Sequence, residues 1–282
     1  MVTPASTTVG LLHPGDMGAA VGALLAARGV RTLWVSEGRG VATRRRAREA
    51  GLVEVPRLED LAECGVVLSV CPPAFAAEVA AAVAQTPFQG VYLDANAISP
   101  RHTRQIDELF RRRGGVKVVD GGIVGPPPRQ EGVTRLYLSG AVASQMEALF
   151  ADTFLQPIVL DGPVGQASAL KLAFASYNKL TFALAAQSYA LAEQHGVGDE
   201  LRELAGAKLA GTPLGQPAGI VSAGRKAWRW EGEMAEIAAA CADGGLPPGL
   251  LTAAEALFAR WQDYRDDPQV TVEQLLASLK DS

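Results

Sequence analysis

The chain is poor in the residues that build staples, metal sites and membrane anchors. Of its 282 residues only three are cysteine, Cys64, Cys71 and Cys241, and only three are histidine. No two cysteines form a C-x-x-C pair and none clusters with histidine. That spacing excludes a zinc module or disulfide scaffold, and points to reduced thiols in a cytoplasmic protein with no bound metal. Apolar residues never run for the roughly 18 positions that a membrane-spanning helix needs. Met1–Ser6 carry neither the charged nor the apolar region of a signal peptide and read as a loose terminus. Excess charge is missing too. The formal net charge is −4, which offers no basic surface to nucleic acid or to an anionic membrane. No Ser/His/Asp or Cys/His constellation stands out, so an activated nucleophile is not indicated.

What is present is apolar and orderly. The chain is 48% hydrophobic and long enough for two domains of ordinary size. The most informative stretch runs from Val9 to Gly22. It reads as a buried strand, a tight turn at His13-Pro14-Gly15-Asp16-Met17-Gly18, and an alanine-rich helix. Gly15 would let backbone approach a pyrophosphate, and Gly18 would let the helix pack close to the sheet. The helix N-terminus would turn its unpaired N–H groups toward the phosphates. The first glycine of the usual G-x-G-x-x-G is absent, because His13 stands there. The remaining G-x-x-G carries weight only because it falls at the first strand-to-helix turn.

The first half alternates strand and helix patterns. Strands are expected at Thr8–Leu12, Arg31–Val35, Val66–Val70, Val91–Asp94 and Val116–Val119. Helices are expected at Met17–Arg28, Val41–Ala50, Ala74–Ala84 and Pro100–Arg113. This rhythm predicts a Rossmann-type doubly wound α/β fold, a parallel sheet covered on both faces. Two more strands follow near Arg135–Ser139 and Pro157–Leu160, with a helix near Ser144–Phe150. After Gly165 the pattern is helical only. One long helix is expected over Ala167–Gln194, then segments near Glu200–Ala210, Glu231–Ala242, Gly249–Asp263 and Val272–Lys280. Gly/Pro clusters at Gly211–Gly219 and Asp243–Gly249 are the breakers. The expected domains are a dinucleotide-binding domain, 1–163, and an all-α substrate and dimerisation domain, 164–282, joined by the long helix.

The second strand ends at Ser36-Glu37. An acidic residue there commonly holds the ribose hydroxyls of NAD, while Arg39 and Arg44 offer planar donors to the 2′-phosphate of NADP. NADP is favoured, with NAD left open by Glu37. Cys71-Pro72-Pro73 and Asn96 follow strands on the same edge and would border the cofactor. The plainer reading of each is a rigid turn and a turn-stabilising side chain. Ser99 reads as the N-cap of a helix whose first residue is Pro100. Lys171 lies in an apolar stretch, where it is either a snorkelling surface lysine or a proton donor. His102 and His195 read as surface or capping residues.

Taken together, these stretches resemble the β-hydroxyacid dehydrogenase superfamily, and within it the 6-phosphogluconate-dehydrogenase-like proteins with a poorly characterised C-terminal domain. His13–Gly18, Asp94–Pro100, Asp120–Gly125 and Gly165–Asn178 carry the likeness, and Trp228–Ala238 resembles the subgroup. The resemblance implies an NAD(P)-dependent oxidoreductase. Lys171 would be its general acid in carbonyl reduction and its base in alcohol oxidation. Substrate would bind between the domains, and the assembly would be a homodimer. It further implies substrate contacts from Gly122, Ile123, Val124, Asn178, Trp230, Glu233 and Met234.

Three departures stand out against the family pattern. The asparagine usually found one turn after the lysine is Ala175, with Asn178 two turns away. The carboxylate-gripping loop after the sixth strand carries Val124 in place of serine, and Pro126, which removes a backbone donor. A family lysine in the helical domain aligns with Glu233. The expected substrate is therefore larger than a simple 3-hydroxy acid, less anionic, or amine-bearing. Glu233 and Glu236 would meet a cation, and Trp228 and Trp230 would either line an apolar wall or pack as core. Two other readings remain at this point: reduction of a C=N bond, and a non-catalytic dinucleotide-binding protein.

Overall fold

The computed structural model describes residues 7–280, and the terminus Met1–Ser6 lies outside the described residues. The chain divides into two compact units, one ending at Leu172 and the other beginning at Ala173. The first is α/β. Its elements are β1 (Val9–Leu12), α1 (Asp16–Ala27), β2 (Thr32–Val35), α2 (Val41–Glu49), β3 (Val53–Val55), β4 (Val66–Ser69), α3 (Ala76–Ala84), β5 (Val91–Asp94), α4 (Pro100–Arg113), β6 (Lys117–Val124), β7 (Thr134–Ser139), α5 (Ala143–Phe150) and β8 (Leu155–Val159). The sheet has the order β3-β2-β1-β4-β5-β6-β7-β8. From β3 to β6 every pair is parallel. This is the doubly wound order, with its switch point between β1 and β4.

The sheet is buried on both faces because its strands are apolar throughout. Leu11, Trp34, Leu68, Leu93 and Val119 fill one layer. Their neighbours Leu12, Leu33, Val67, Tyr92 and Val118 fill the other. This is the alternation that a period of two requires. Tyr92 meets Phe110 of α4 with ring centroids 4.7 Å apart. Each such side chain contributes roughly 1.5–3 kcal/mol through burial.

Three elements differ from the sequence expectation. β3 was not anticipated, because Val53-Glu54-Val55 is too short and too exposed to show a period. β6 runs to Val124 instead of stopping at Val119, so the expected glycine-rich loop is strand. It pairs antiparallel with β7, Gly121 opposite Leu138 and Gly122 opposite Tyr137, so the sheet is not wholly parallel.

The third difference lies in the second unit. Here α6 (Gln166–Gln194), which begins in the α/β unit, is followed by α7 (Gly198–Lys208), α8 (Ala218–Asp243), α9 (Gly249–Ala259) and α10 (Val272–Ala277). α8 starts thirteen residues before Glu231, since Gly219 and Gly224 sit inside it. A Cβ on Gly224 would lie 2.5 Å from Leu275 Cδ1, so the glycine there admits α10 against α8. Close packing offsets the roughly 1 kcal/mol that glycine costs a helix. Among the described residues no helix is long and apolar enough to cross a membrane.

Candidate functional site

The turn between β1 and α1 is built by two glycines with different duties. A Cβ on Gly18 would stand 2.4 Å from the His13 carbonyl oxygen and 3.7 Å from Val70 Cβ, so any side chain there would push α1 off the turn. A Cβ on Gly15 would meet nothing nearer than 4.0 Å. The protein itself does not need that glycine; the open space above it fits a ligand. Gly15 is the N-cap of α1 and offers no side chain, so the helix presents bare N–H groups.

His13 precedes the turn with φ +67°, in the left-handed region where glycine is at ease. Its Nδ1 is buried with no hydrogen-bond partner. Burial, and then the nearby Arg39 charge, push its pKa from 6.5 down to about 4, so the imidazole is neutral near pH 7. His13 lines a cavity of about 510 Å³ with Glu37, Arg39, Leu58, Pro72 and Phe75. Asp16 and Met17 do not join it. Asp16 pairs with Arg129, and Met17 packs on the sheet core. Pro14 accepts a hydrogen bond at its carbonyl from Arg46 Nε, 3.3 Å. Neither Arg46 nor Arg129 was singled out from the sequence. Their partners lie 32 and 113 residues away, beyond any local pattern.

The two arginines proposed for a 2′-phosphate separate. Arg44 donates to the carbonyls of Ser36 at 3.1 Å and Arg39 at 3.3 Å, and pairs with Glu54, so it braces the loop after β2. Among the described residues the Arg39 side chain has no hydrogen-bond or ion-pair partner. Glu37 is exposed beside it, whereas Ser36 is buried. With one unpaired guanidinium, a helix N-terminus without a cap and an open Gly15, the residues of this edge fit an adenine dinucleotide.

Asn96 joins the ends of two strands. Its Oδ1 accepts from Cys71 N at 2.6 Å, while Nδ2 donates to Ser69 Oγ and Asp94 Oδ2, each at 3.0 Å. With both side-chain polar atoms bonded and 2% exposed, it holds the Cys71-Pro72-Pro73 loop in place. Pro73 opens a single 3-10 turn, and Pro72 alone of the two lines the cavity. Burial, and then the nearby Asp94 charge, push the Cys71 thiol up to about 12 against a hydrogen bond with Ser69, so it is no nucleophile near neutral pH. Ser99 caps α4 as expected, accepting from His102 N at 3.4 Å.

Asp120, at the middle of β6, reaches the start of α6. Its Oδ2 accepts from Gly165 N at 2.9 Å, Ser168 N at 3.0 Å and Ser139 Oγ at 2.9 Å, and its Oδ1 from Ser168 Oγ at 2.6 Å. A buried carboxylate thus caps the helix from another strand and meets the positive end of its dipole. Gly122 completes the approach. A Cβ there would stand 2.7 Å from Ala167 O and 3.1 Å from Lys171 Cβ. The half-buried Lys171, on the second turn of α6, is therefore pinned against the Gly122 backbone. Ile123, expected near substrate, belongs instead to the sheet core, because strand alternation points it away from the Gly122 face; Val124 follows Gly122.

The remaining residues named from the sequence lie in the helical unit. Asn178 is exposed. Met234 is fully buried and so packs as core. Trp230 packs tilted on Phe182, centroids 5.7 Å apart, and edge-on to Phe258 at 5.4 Å, the packing alternative for that ring. Glu233 does meet a cation, but the cation is the chain's own. Lys179 Nζ donates to Glu233 Oε2 at 2.8 Å, both side chains being nearly buried, and lies 5.4 Å from the Trp230 ring. The sequence reading missed Lys179, whose partner is 54 residues away. Trp228 carries the Arg265 guanidinium 3.9 Å from its ring. No cluster of metal-ligating side chains occurs among the described residues.

Comparison with known proteins bears on the fold. Residues 192–261 match the family model described as a domain of unknown function, DUF1932. An uncharacterised 28.5 kDa protein of Methanothermus fervidus is 29% identical over 170 residues, which span 60% of this chain and 64% of that protein. The conserved protein MTH1747, of unknown function and described as structurally similar to 3-hydroxyacid dehydrogenases, is 27% identical with a TM-score of 0.70, over 91% of this chain and 97% of its own. A 3-hydroxyisobutyrate dehydrogenase of Mycobacterium tuberculosis has a TM-score of 0.73 at 17% identity, over 98% and 99%. A reductive aminase of Aspergillus terreus, solved with NADPH, has a TM-score of 0.61 at 18% identity, over 99% and 100%. The chain therefore has the fold of the 3-hydroxyacid dehydrogenase-like proteins, and carries a DUF1932 region in its helical unit.

Proposed function

We propose that the chain is an NADP(H)-preferring oxidoreductase acting on a carbonyl or its alcohol, with Lys171 as proton donor and acceptor. The observation that carries this reading is the Asp120 clamp. It spends a buried carboxylate on fixing the first turn of α6, and so holds Lys171 against Gly122 in a unit whose sheet edge also bears the dinucleotide turn. A bound nicotinamide supplies or takes the hydride. The chain's part is to hold the dinucleotide with Gly15, the α1 N-terminus and Arg39. Hydride addition to a carbonyl carbon leaves negative charge on oxygen, and the Lys171 ammonium donates the proton that neutralises it. In the reverse direction the neutral amine removes that proton. Arg39, without a protein partner, supports NADP over NAD; the exposed Glu37 is the residue that opposes it.

Each unit taken by itself is poor in carboxylate ligands at the positions named from the sequence. In the α/β unit Val124 and Pro126 offer none; in the helical unit Ala175 offers none, and Glu233 is already neutralised by Lys179. A weakly anionic substrate suits this set, and the pairing of Glu233 removes the argument for an amine group. We read the protein as a cytoplasmic homodimer; the large apolar side chains that its helical unit leaves uncovered support the self-association.

The test is turnover of a carbonyl panel, with and without carboxylates, alongside a panel of cyclic imines. Lys171→Ala is expected to lower carbonyl turnover by about 10²–10⁴-fold and to leave NADPH affinity within twofold. Unaltered turnover in that variant would remove Lys171 from the mechanism. Turnover of imines alone would turn the reading to C=N reduction.

A further inference from the structure

The connection between β6 and β7 goes far out of its way. The two strands are neighbours and pair antiparallel up to Val124 opposite Arg135, so a short turn would join them. Residues 125–133 form a longer loop instead, and its Arg129 pairs with Asp16 at the first turn of α1. In the sheet order β1-β4-β5-β6-β7 that contact lies on the side away from β7. β1, β4, β5 and β6 are parallel, so their carboxyl ends share one edge. From β6 to β1 is three strand spacings, about 14 Å. The loop therefore doubles back across the carboxyl ends of β5 and β4, the edge where a doubly wound sheet takes its ligand. It is built to hold that course. At its base the buried Thr134 Oγ1 donates to the Pro126 carbonyl at 2.6 Å, and Gly125 takes φ +128°, where a Cβ would stand 2.4 Å from Val133 O. Pro126, Pro127 and Pro128 stiffen the outgoing limb, and Arg129 follows them. The pair at the tip does little for the fold. Its side chains are 63% and 59% exposed, and such pairs contribute little. Asp16 already suits the N-terminus of α1 by its charge, whereas a guanidinium there does not. A rigid arm that ends in a weak, solvent-exposed contact can open without cost to the core.

We propose that residues 125–133 are a strap across the nicotinamide half of the dinucleotide crevice, latched by Arg129 and Asp16, which opens to admit NAD(P)(H) and closes to retain it. The proposal rests on the oxidoreductase reading above and deepens it. The adenosine half belongs on the β2 side, by Glu37 and Arg39, so the other half falls under the strap, over the ends of β4 and β5. The latch stands apart from the adenine and the 2′-phosphate, so it slows the exchange of NADPH and NADH alike. Its closure adds no net charge to the crevice, because Asp16 neutralises Arg129.

The experiment measures NADPH and NADH dissociation rates by stopped-flow nicotinamide fluorescence. It uses the full-length chain, Arg129→Ala, Asp16→Asn and the double variant, with Tm without ligand as the control for folding. Release of both cofactors is expected to be about three- to fivefold faster in each single variant, and no faster in the double, since either change opens the latch. Asp16→Asn decides the mechanism. It removes a negative charge beside the bound pyrophosphate, which by charge alone slows release, so faster release there identifies the latch. A chain lacking residues 127–131, whose strap is too short to reach α1, should release both cofactors at least as fast as the single variants. Release within about 1.5-fold of the parent in either single variant overturns the proposal. So does a double variant that multiplies the two effects. Faster release in Arg129→Ala with slower release in Asp16→Asn overturns it as well, being the pattern of a guanidinium bound directly to phosphate. If the parent chain binds neither dinucleotide, the oxidoreductase reading fails and the strap with it; if the parent binds and the variants match it, that reading stands and only the strap fails.

Discussion

The two units place their polar and apolar residues in opposite ways. The α/β unit buries polar groups: Ser69, Asp94, Asn96, Asp120, Ser139 and Ser168 are all buried and hydrogen-bonded, Asp94 to Asn96 two residues on and the others across the chain. In the helical unit Lys179 is the sole polar or charged residue in that buried class among the described residues. That unit instead leaves apolar side chains outside. Tyr177 is 74% exposed, Leu184 68% and Leu250 76%. Phe174, Tyr177, Leu184 and Leu191 fall on one stripe of α6 at helical spacing. Tyr177 and Leu184 also line a cavity of about 670 Å³ with Leu250 and Leu257. The contrast separates two kinds of order. A satisfied polar network fixes atoms where chemistry needs them. An uncovered apolar stripe is unfinished burial, and it is what the proposed homodimer rests on.

The sharpest way to break this contrast is to remove the network at its centre. Asp120→Ala deletes the acceptor of four hydrogen bonds and leaves two helix N–H groups and two hydroxyls buried without it. A loss of about 3–5 kcal/mol is expected, measured by urea unfolding of the full chain. A loss below about 1 kcal/mol would mean that water or a shifted side chain replaces the carboxylate. Substitution on the stripe should do the reverse. Leu184→Glu places a charge where solvent already reaches, so stability of the single chain should change by no more than about 0.5 kcal/mol. Assembly should be lost, with the mass seen by light scattering falling from dimer to monomer. A monomeric parent chain, or a variant that remains dimeric, would remove this stripe as the interface.

The same contrast decides what was legible from the amino-acid order. The α/β unit could be read because local pattern and tertiary role coincide there. Leu11 and Leu12 are both apolar since both sheet faces are covered, and Gly18 sits where helix and turn collide. Lys171 reads from its neighbours on α6 alone as either a surface lysine or a proton donor, and only the family resemblance singles it out. What escaped was set by distant partners. Arg129 and Arg46 drew no notice in the sequence, and their contacts with Asp16 and Pro14 appear only in the fold. Gly122 looked like loop because glycine disfavours strand, yet it is kept in β6 by the approach of Ala167 and Lys171. Gly219, in the expected breaker cluster Gly211–Gly219, lies inside α8 instead, where Phe182 fills the space it leaves. Lys179 was overlooked because a buried lysine is foreseeable only once its acid, Glu233, is known to face it.

The smallest effect tests whether the buried network also sets how the protein answers to pH. Burial, and then the nearby Asp120 charge, raise the Asp94 carboxyl from 3.8 to about 7, against hydrogen bonds from Asn96 that favour its ionised form. A raised carboxyl means the folded chain holds a proton that the unfolded chain has released. Asp94 therefore withdraws stability as pH rises from about 4 to about 7. His13 acts in the opposite sense. Its folded value, about 4, lies below 6.5, so the unfolded chain binds the extra proton and stability rises across that window. Between pH 4 and 6.5 the two slopes, each up to about 1.4 kcal/mol per pH unit, oppose one another, and the parent chain shows little of either. Difference curves separate them. Subtracting the Tm–pH profile of Asp94→Asn from that of the parent should leave a line falling toward pH 7. The same subtraction with His13→Gly should leave one rising to about pH 6.5 and flat beyond. Two flat difference curves would mean that neither group changes its proton affinity on folding. The polar interior of the α/β unit would then be a positioning device alone, with no hold on the pH response.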